Sequence, residues 1–120
     1  MYEDEFGRKW EGPFPFDSAG ILRLGRQLRR PGLYQILYLR EPVYIGVSSD
    51  SIYERLRSHA KGTGNDMASR RVGAKDYEFV YWFCDGTTAR QIESHITVHN
   101  KPGFNRKTEY IHYILSISVH

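Results

Sequence analysis

Residues 31–51 read PGLYQILYLREPVYIGVSSDS, and the way its two halves pair decides the fold and places the chemistry. GLYQILYL (32–39) and VYIGV (43–47) are rich in aromatic and β-branched residues, the composition of strands, and a polar turn separates them. Each run sets a tyrosine beside a glycine: Gly32-Leu33-Tyr34 and Tyr44-Ile45-Gly46. Strand side chains alternate with period two, so Tyr34, Ile36 and Tyr38 share one face of the first strand, and Tyr44 and Gly46 share one face of the second. With a three-residue loop, Arg40-Glu41-Pro42, Leu39 pairs with Val43 and Tyr38 with Tyr44, and Tyr34, Tyr38 and Tyr44 lie on the same face. A two-residue loop would turn Tyr44 to the other face. In the three-residue register Gly46 lies opposite Ile36, leaving a hollow between phenols that a backbone or a ligand can enter. A bulge or plain steric relief accounts for the glycine as well.

The rest of the chain builds outward from this hairpin. SIYE (51–54) is a capping box, with Ser51 accepting from the amide three residues on, and it opens a helix over 52–60 with Ile52 and Leu56 inward. Arg55 and His59 stand at i and i+4, on a shared face bordering that stripe. KGTGN (61–65) ends the helix; 66–75 is basic and suits a loop or a short helix. DYEFVYWFC (76–84) is a strand with aromatics on both faces, hence central. Asp85-Gly86 turns it, and TARQ (88–91) is a second capping-box pattern for a helix to about Val98. Along that helix Ala89, Ile92, Ile96 and His99 recur, and Glu93 borders the stripe. NKPGFNRK (100–107) is a loop and EYIHYILSISVH (109–120) an extended segment. Upstream, SAGILRLGRQLRR (18–30) reads as a helix with Ile21, Leu24, Gly25 and Leu28 inward and arginines opposite. Asp17 or Ser18 caps it and Pro31-Gly32 stops it. EGPFPF (11–16) is non-helical because of its prolines, and Phe14 and Phe16 tack the arm onto the core. This order predicts one small α/β or α+β domain over 1–120: an N-terminal arm and helix (1–30), a core over about 31–107, and an extension (108–120).

Composition narrows the function. The single cysteine, Cys84, excludes an internal disulfide and a thiolate metal cluster. No apolar run reaches membrane-spanning length and the first residues lack a signal-peptide core, so the expectation is a cytoplasmic protein with no membrane partner. Between Glu54 and Lys75, six basic residues (Arg55, Arg57, Lys61, Arg70, Arg71, Lys75) stand against two acidic ones (Glu54, Asp66), a local +4 in a chain of net charge +3. Lys101, Arg106 and Lys107 form a second basic cluster, and Arg23, Arg26, Arg29 and Arg30 a third. Such clusters suit a polyanion, and equally a solvated basic face. Arg55, His59, Glu93 and the two tyrosines together supply a cation for phosphate, a titratable ring, a hard-metal ligand and two phenols. That inventory fits metal-assisted phosphodiester hydrolysis.

The ordered set resembles the GIY-YIG nuclease family. Gly32-Leu33-Tyr34 matches its first signature with Leu in the middle place, and Tyr44-Ile45-Gly46 matches the second in full. ERLRSH (54–59) is similar to the family's arginine-bearing helix, and IESHITVHNKPGFN (92–105) to the helix with the metal-binding glutamate followed by Pro102 and Asn105. The resemblance covers about 31–107 and implies a small three-stranded antiparallel sheet flanked by helices. It implies a DNA endonuclease with Tyr44 as general base and Tyr34 positioning the water or sharing the proton. Arg55 would contact the scissile phosphate, His59 orient Tyr44 or take a proton, and Asn105 anchor the loop near Glu93. Glu93 would hold one divalent ion, Mg²⁺ or Mn²⁺. In that light Arg57, Lys61, Arg70, Arg71, Lys75, Arg106 and Lys107 are read as a nucleic-acid surface. Where some members carry a lysine after the second signature, this chain has Val47-Ser48-Ser49, so activation of Tyr44 leans on Arg55, His59 or the metal. A catalytically silent nucleic-acid-binding module, or an accessory subunit of a larger complex, remains the alternative. A dimer is left open.

Overall fold

A computed structural model of the chain describes residues 1–4, 7–62 and 66–99. Along them run β1 (Tyr2–Glu3), β2 (Lys9–Pro15), α1 (Ser18–Leu24), a 3₁₀ turn (Gly25–Leu28), β3 (Gly32–Tyr38), β4 (Glu41–Ser48), α2 (Ile52–Ala60), α3 (Asp66–Ser69), β5 (Tyr77–Phe83) and α4 (Gly86–His99). The strands form a single antiparallel sheet in the order β1-β2-β5-β3-β4. The sheet therefore has five strands rather than the three expected. The extra two come from the N-terminal arm, whose Glu11, Phe14 and Pro15 pair with Tyr81, Phe79 and Glu78 of β5. Prolines are tolerated there for two reasons. The register breaks between Glu11 and Phe14, and β1 pairs only with Lys9 and Trp10, so β2 is an edge strand over Pro13 and Pro15. β5 is central, as its two-sided aromatic pattern predicts.

The hairpin differs from its expected register. The turn has two residues, Leu39 and Arg40, both with positive φ (51° and 68°), the geometry of a type I′ turn. Taken alone it would put Tyr44 on the face opposite Tyr34. A register shift in β4 reverses this: Leu37 pairs with Pro42 but Ile36 with Tyr44, which leaves Val43 as the extra residue of a bulge. Val43 and Tyr44, although consecutive, consequently both join the core on the Tyr34 side. The expected face is right and the expected register is two residues off, so that Gly46 opposes Tyr34, not Ile36.

The two faces of the sheet carry separate cores. On one, Tyr34, Ile36, Tyr44, Phe79 and Tyr81 pack against Ile21, Leu24 and Leu28 and against Ile52 and Leu56 of α2. On the other, Leu33, Leu37, Ile45, Val80 and Trp10 meet Ala89 and Ile92 of α4. Each such buried aliphatic contributes roughly 1.5–3 kcal/mol. Asp17 caps α1 and Ser51 caps α2 by accepting from Gly20 and Glu54 amides. The N-cap of α4 is Asp85, not Thr88: Asp85 Oδ1 accepts from the Thr88 amide at 2.8 Å and Oδ2 from its hydroxyl at 2.9 Å. Among the described residues no helix is long and apolar enough to cross a membrane.

Candidate active site

Gly46 answers the question of the tyrosines placed beside glycines. A Cβ there would come within 2.6 Å of Tyr34 Cε1 and closer still to Cζ and Oη. The hollow over Gly46 is filled by the Tyr34 ring itself, and any side chain in its place would evict the phenol. Gly32 serves a similar end on the far strand, where a Cβ would collide with the Trp82 carbonyl and press on Phe83.

Tyr34 from β3, Tyr44 from β4 and His59 from α2 form a triangle of rings. Centroids lie 6.1 Å apart for Tyr34–Tyr44, 5.7 Å for Tyr34–His59 and 5.9 Å for Tyr44–His59. Tyr34 is 0 % exposed, His59 1 % and Tyr44 6 %. The start of α2 fixes the histidine's position: Ser48 Oγ accepts from the amides of Asp50 (3.3 Å) and Ser51 (2.8 Å), closing the turn between β4 and the helix. Tyr34 Oη and His59 Nε2 are 2.6 Å apart. Burial strongly raises the Tyr34 pKa, with the neighbouring Tyr44 adding to it. Burial, aided by the Arg55 cation, lowers that of His59 to about 4. Tyr34 is thus a protonated phenol and His59 a neutral ring at pH 7, so Tyr34 donates to Nε2 and the ring proton sits on Nδ1. That Nδ1 is buried and has no hydrogen-bond partner among the described residues.

Arg55 is exposed at the mouth of this triangle, and its charge acts on Tyr34, Tyr44, His59 and Glu93. Burial raises Tyr44; the Arg55 cation and a polar contact with the Tyr34 hydroxyl pull it back, and the Glu93 carboxylate adds to the rise. Of the two phenols, Tyr44 is the one with a cation and a hydroxyl both favouring its anion. α4 packs chiefly on β4, the outer strand, so Glu93, one position past the buried Ile92, comes within electrostatic reach of Tyr44 and Arg55. Burial raises the Glu93 carboxyl, opposed by Arg90 and Arg55.

Among the described residues no group of three or more His, Cys, Asp or Glu gathers as a metal cage. Glu93 nonetheless fits a hard divalent cation. Mg²⁺ is commonly held by one or two carboxylates plus water and substrate phosphates, and in Glu93 burial outweighs the two arginine charges that favour its anion, so a further cation is accommodated.

The remaining sequence-chosen cations are dispersed. Arg57 donates to Tyr53 Oη at 2.8 Å on the flank of α2 away from Arg55. Lys61, Arg70 and Lys75 are exposed. Arg71 is 2 % exposed, which corrects its placement on a solvent-facing basic surface: in 66–75 the chain tucks that side chain inward. Asn105, Arg106 and Lys107 lie outside the described residues. Sequence reasoning missed Arg90, whose Nη2 donates to Ser49 Oγ at 3.4 Å and whose charge acts on Glu93. The signal was its i, i+3 spacing to Glu93. It also missed the tie from Arg8 Nη2 to His95 Nδ1 (3.1 Å), which joins the N-terminal arm to α4.

A family model, the GIY-YIG catalytic domain, matches residues 30–109, two thirds of the chain. The chain belongs to the GIY-YIG family. Membership implies a nuclease-type function, since GIY-YIG domains are generally endonucleases that act on DNA and commonly use divalent metals. No curated protein and no solved structure matches the chain. The GIY-YIG match begins at Arg30, so β1, β2, α1 and the 3₁₀ turn lie outside it. Within it, Arg90 stands over Ser49, in the stretch where some GIY-YIG members carry a lysine.

Proposed function

We propose that this chain forms a metal-dependent DNA endonuclease domain that hydrolyses phosphodiester bonds, with its catalytic core over about 31–107. The observation that carries the reading is convergence. Tyr34, Tyr44, Arg55, His59 and Glu93 come from β3, β4, α2 and α4, and their rings and charges act on one another. A buried cluster of two phenols and a neutral imidazole, roofed by one arginine and one glutamate, has no evident packing rationale that apolar residues would not serve better.

Tyr44 is the general base. Having first lost its own proton to solvent, Tyr44 acts as a phenolate stabilised by the Arg55 cation and takes the proton of the water that attacks phosphorus, while the ester P–O bond breaks and the leaving oxygen is protonated by solvent. Tyr34 is too strongly held in its protonated form to be the base. It serves as a donor, to His59 Nε2 while Tyr44 is a neutral phenol and to the Tyr44 oxygen while Tyr44 is the phenolate. In the former state His59 Nε2 accepts from Tyr34 and holds its ring in place. Arg55 also meets the charge growing on the phosphate. Glu93 would hold one divalent ion, Mg²⁺ or Mn²⁺, which when bound supplies Lewis-acid stabilisation of the phosphoryl oxygens.

The deciding experiment is an incubation panel of plasmid, single-stranded, branched and RNA substrates, with and without Mg²⁺, beside Tyr44→Phe. Mg²⁺-dependent cleavage of DNA lost in Tyr44→Phe is expected. Binding without cleavage of any substrate would leave a silent nucleic-acid-binding module.

A further inference from the structure

The thirteen residues Ser18–Arg30 carry four arginines and no acid, a local +4 in a chain of net charge +3. Arg23, Arg26, Arg29 and Arg30 are all exposed, while Ile21, Leu24 and Leu28 between them are buried. The segment is therefore a stiff amphipathic ridge, seated on the same core as α2, with its charges turned out. Little on the protein neutralises them. Arg29 pairs with Glu54 at 3.2 Å, but both side chains are more than half exposed, and such pairs contribute little. Arg29 lies 4.6 Å over the Tyr53 ring and Arg30 4.3 Å over the Phe83 ring, contacts that hold a guanidinium without cancelling its charge. Arg23 and Arg26 have no ion pair among the described residues. Facing the ridge across a cleft lined by Ser18, Ile21, Leu22 and Ala60 are Arg57 and Lys61, on one flank of α2.

Arg55 is on the other flank. At 3.6 residues per turn, Arg55 and Arg57 are about 200° apart around α2, either side of the buried stripe of Ile52, Leu56 and His59. Arg55 at the cleavage site and the Arg57 flank are thus separated by the width of one helix, ~10–12 Å, with the ridge beyond the cleft. That compares with the ~12 Å width of the major groove of B-DNA, across which phosphates of opposite strands face each other.

We propose that α1, its 3₁₀ extension and the Arg57 flank of α2 form a second phosphate-binding surface, which grips double-stranded DNA beyond the cleavage site. The inference rests on reading the chain as acting on DNA, and it supplies a substrate class, duplex. It also gives a use to a segment outside the family match.

The test is Arg23→Gln/Arg26→Gln, two exposed residues with no packing role. Binding to a short duplex and to the matching single strand is measured by anisotropy in EDTA over a salt series, which separates it from cleavage. The slope of log K against log[salt] on duplex should become shallower by about 1.8, that is 0.9 for each lost phosphate contact, with a smaller change on the single strand. Lys9→Gln, which removes an exposed charge from β2, should leave the slope alone. The proposal is overturned by an unchanged duplex slope, by the same loss per charge in Lys9→Gln, by an equal loss on single strand, or by no duplex binding in the unaltered chain. An unaltered chain that fails to cleave but binds duplex with this slope change would sink the nuclease reading and leave the surface standing.

Discussion

Tyr34 Oη sits 2.6 Å from His59 Nε2 with both side chains closed off from solvent, so the protonation of the histidine is coupled to folding. The folded ring has a pKa near 4, against 6.5 when unfolded. Above pH 6.5 both states hold a neutral ring and the group has no effect. As pH falls from 6.5 towards 4 the unfolded state takes up a proton that the folded state refuses, and stability declines by on the order of 3 kcal/mol. His59→Gln keeps an acceptor for Tyr34 but cannot titrate, so urea midpoints at pH 7 and pH 4.5 should lie closer together than in the unaltered chain. Equal acid sensitivity in both proteins would remove His59 from this role.

Gly46→Ala places a methyl inside the space of the Tyr34 ring, which is buried and cannot swing aside cheaply. Overpacking of this kind costs about 1–3 kcal/mol, and here it also displaces a phenol of the site. Chemical denaturation should show the loss, and DNA cleavage should fall further than stability alone explains. A variant with the original midpoint and rate would mean that β4 shifts freely to make room.

On the proposed reading Arg55 meets charge that grows in the transition state, and Arg55→Ala should then depress single-turnover cleavage much more than DNA binding. Loss of one such donor costs on the order of 10²–10³ in rate. Arg55→Lys restores the charge but not the planar fork, and should recover only part of it. Weak binding with a normal single-turnover rate in both variants would make Arg55 a docking residue.

Glu93→Gln should abolish Mg²⁺-dependent cleavage and leave the fold intact. Arg90→Ala acts on the same carboxyl from the other side. Arg90 pulls the Glu93 pKa down, so its removal lets the pKa rise, protons compete better for the carboxylate, and the acid limb of the pH–rate profile moves to higher pH. An acid limb that stays put would show that Glu93 does not limit activity at low pH.

Leu39→Asn should stabilise the protein by about 0.5–1 kcal/mol. Leu39 is largely exposed and holds a positive φ of 51°, a conformation that asparagine adopts far more readily than leucine. A lower thermal midpoint would indicate that the leucine side chain contributes more than its exposure suggests.

That same turn marks where the sequence was hard to read. Leu39-Arg40 has none of the Asn-Gly chemistry that announces a type I′ turn, and a bulge at Val43 leaves no trace in a strand of β-branched and aromatic residues. α2 was legible to its ends because a capping box, a buried stripe and a glycine stop all agree there. The arm was illegible because prolines argue against a strand unless its edge is known to be unpaired, which is a fact of tertiary structure. At the site, Tyr34, Tyr44, Arg55, His59 and Glu93 could be picked out by motif order. The contact of Arg90 with Ser49 and the burial of Arg71 could not, since both depend on how α4 and the 66–75 segment settle against their neighbours.

The turn and the bulge also behave as a pair of compensating frame errors. One puts β4 out of phase with β3 and the other puts it back, so the site depends on the evenness of a residue count and not on the length of either feature. One residue added to the turn should scramble the phenols, as should Val43 deleted alone. Both changes together should restore phase and much of the activity, just as a deletion rescues an insertion in a reading frame. Hairpins of different loop length in this family can then carry the same two tyrosines, provided that each odd step is matched by another.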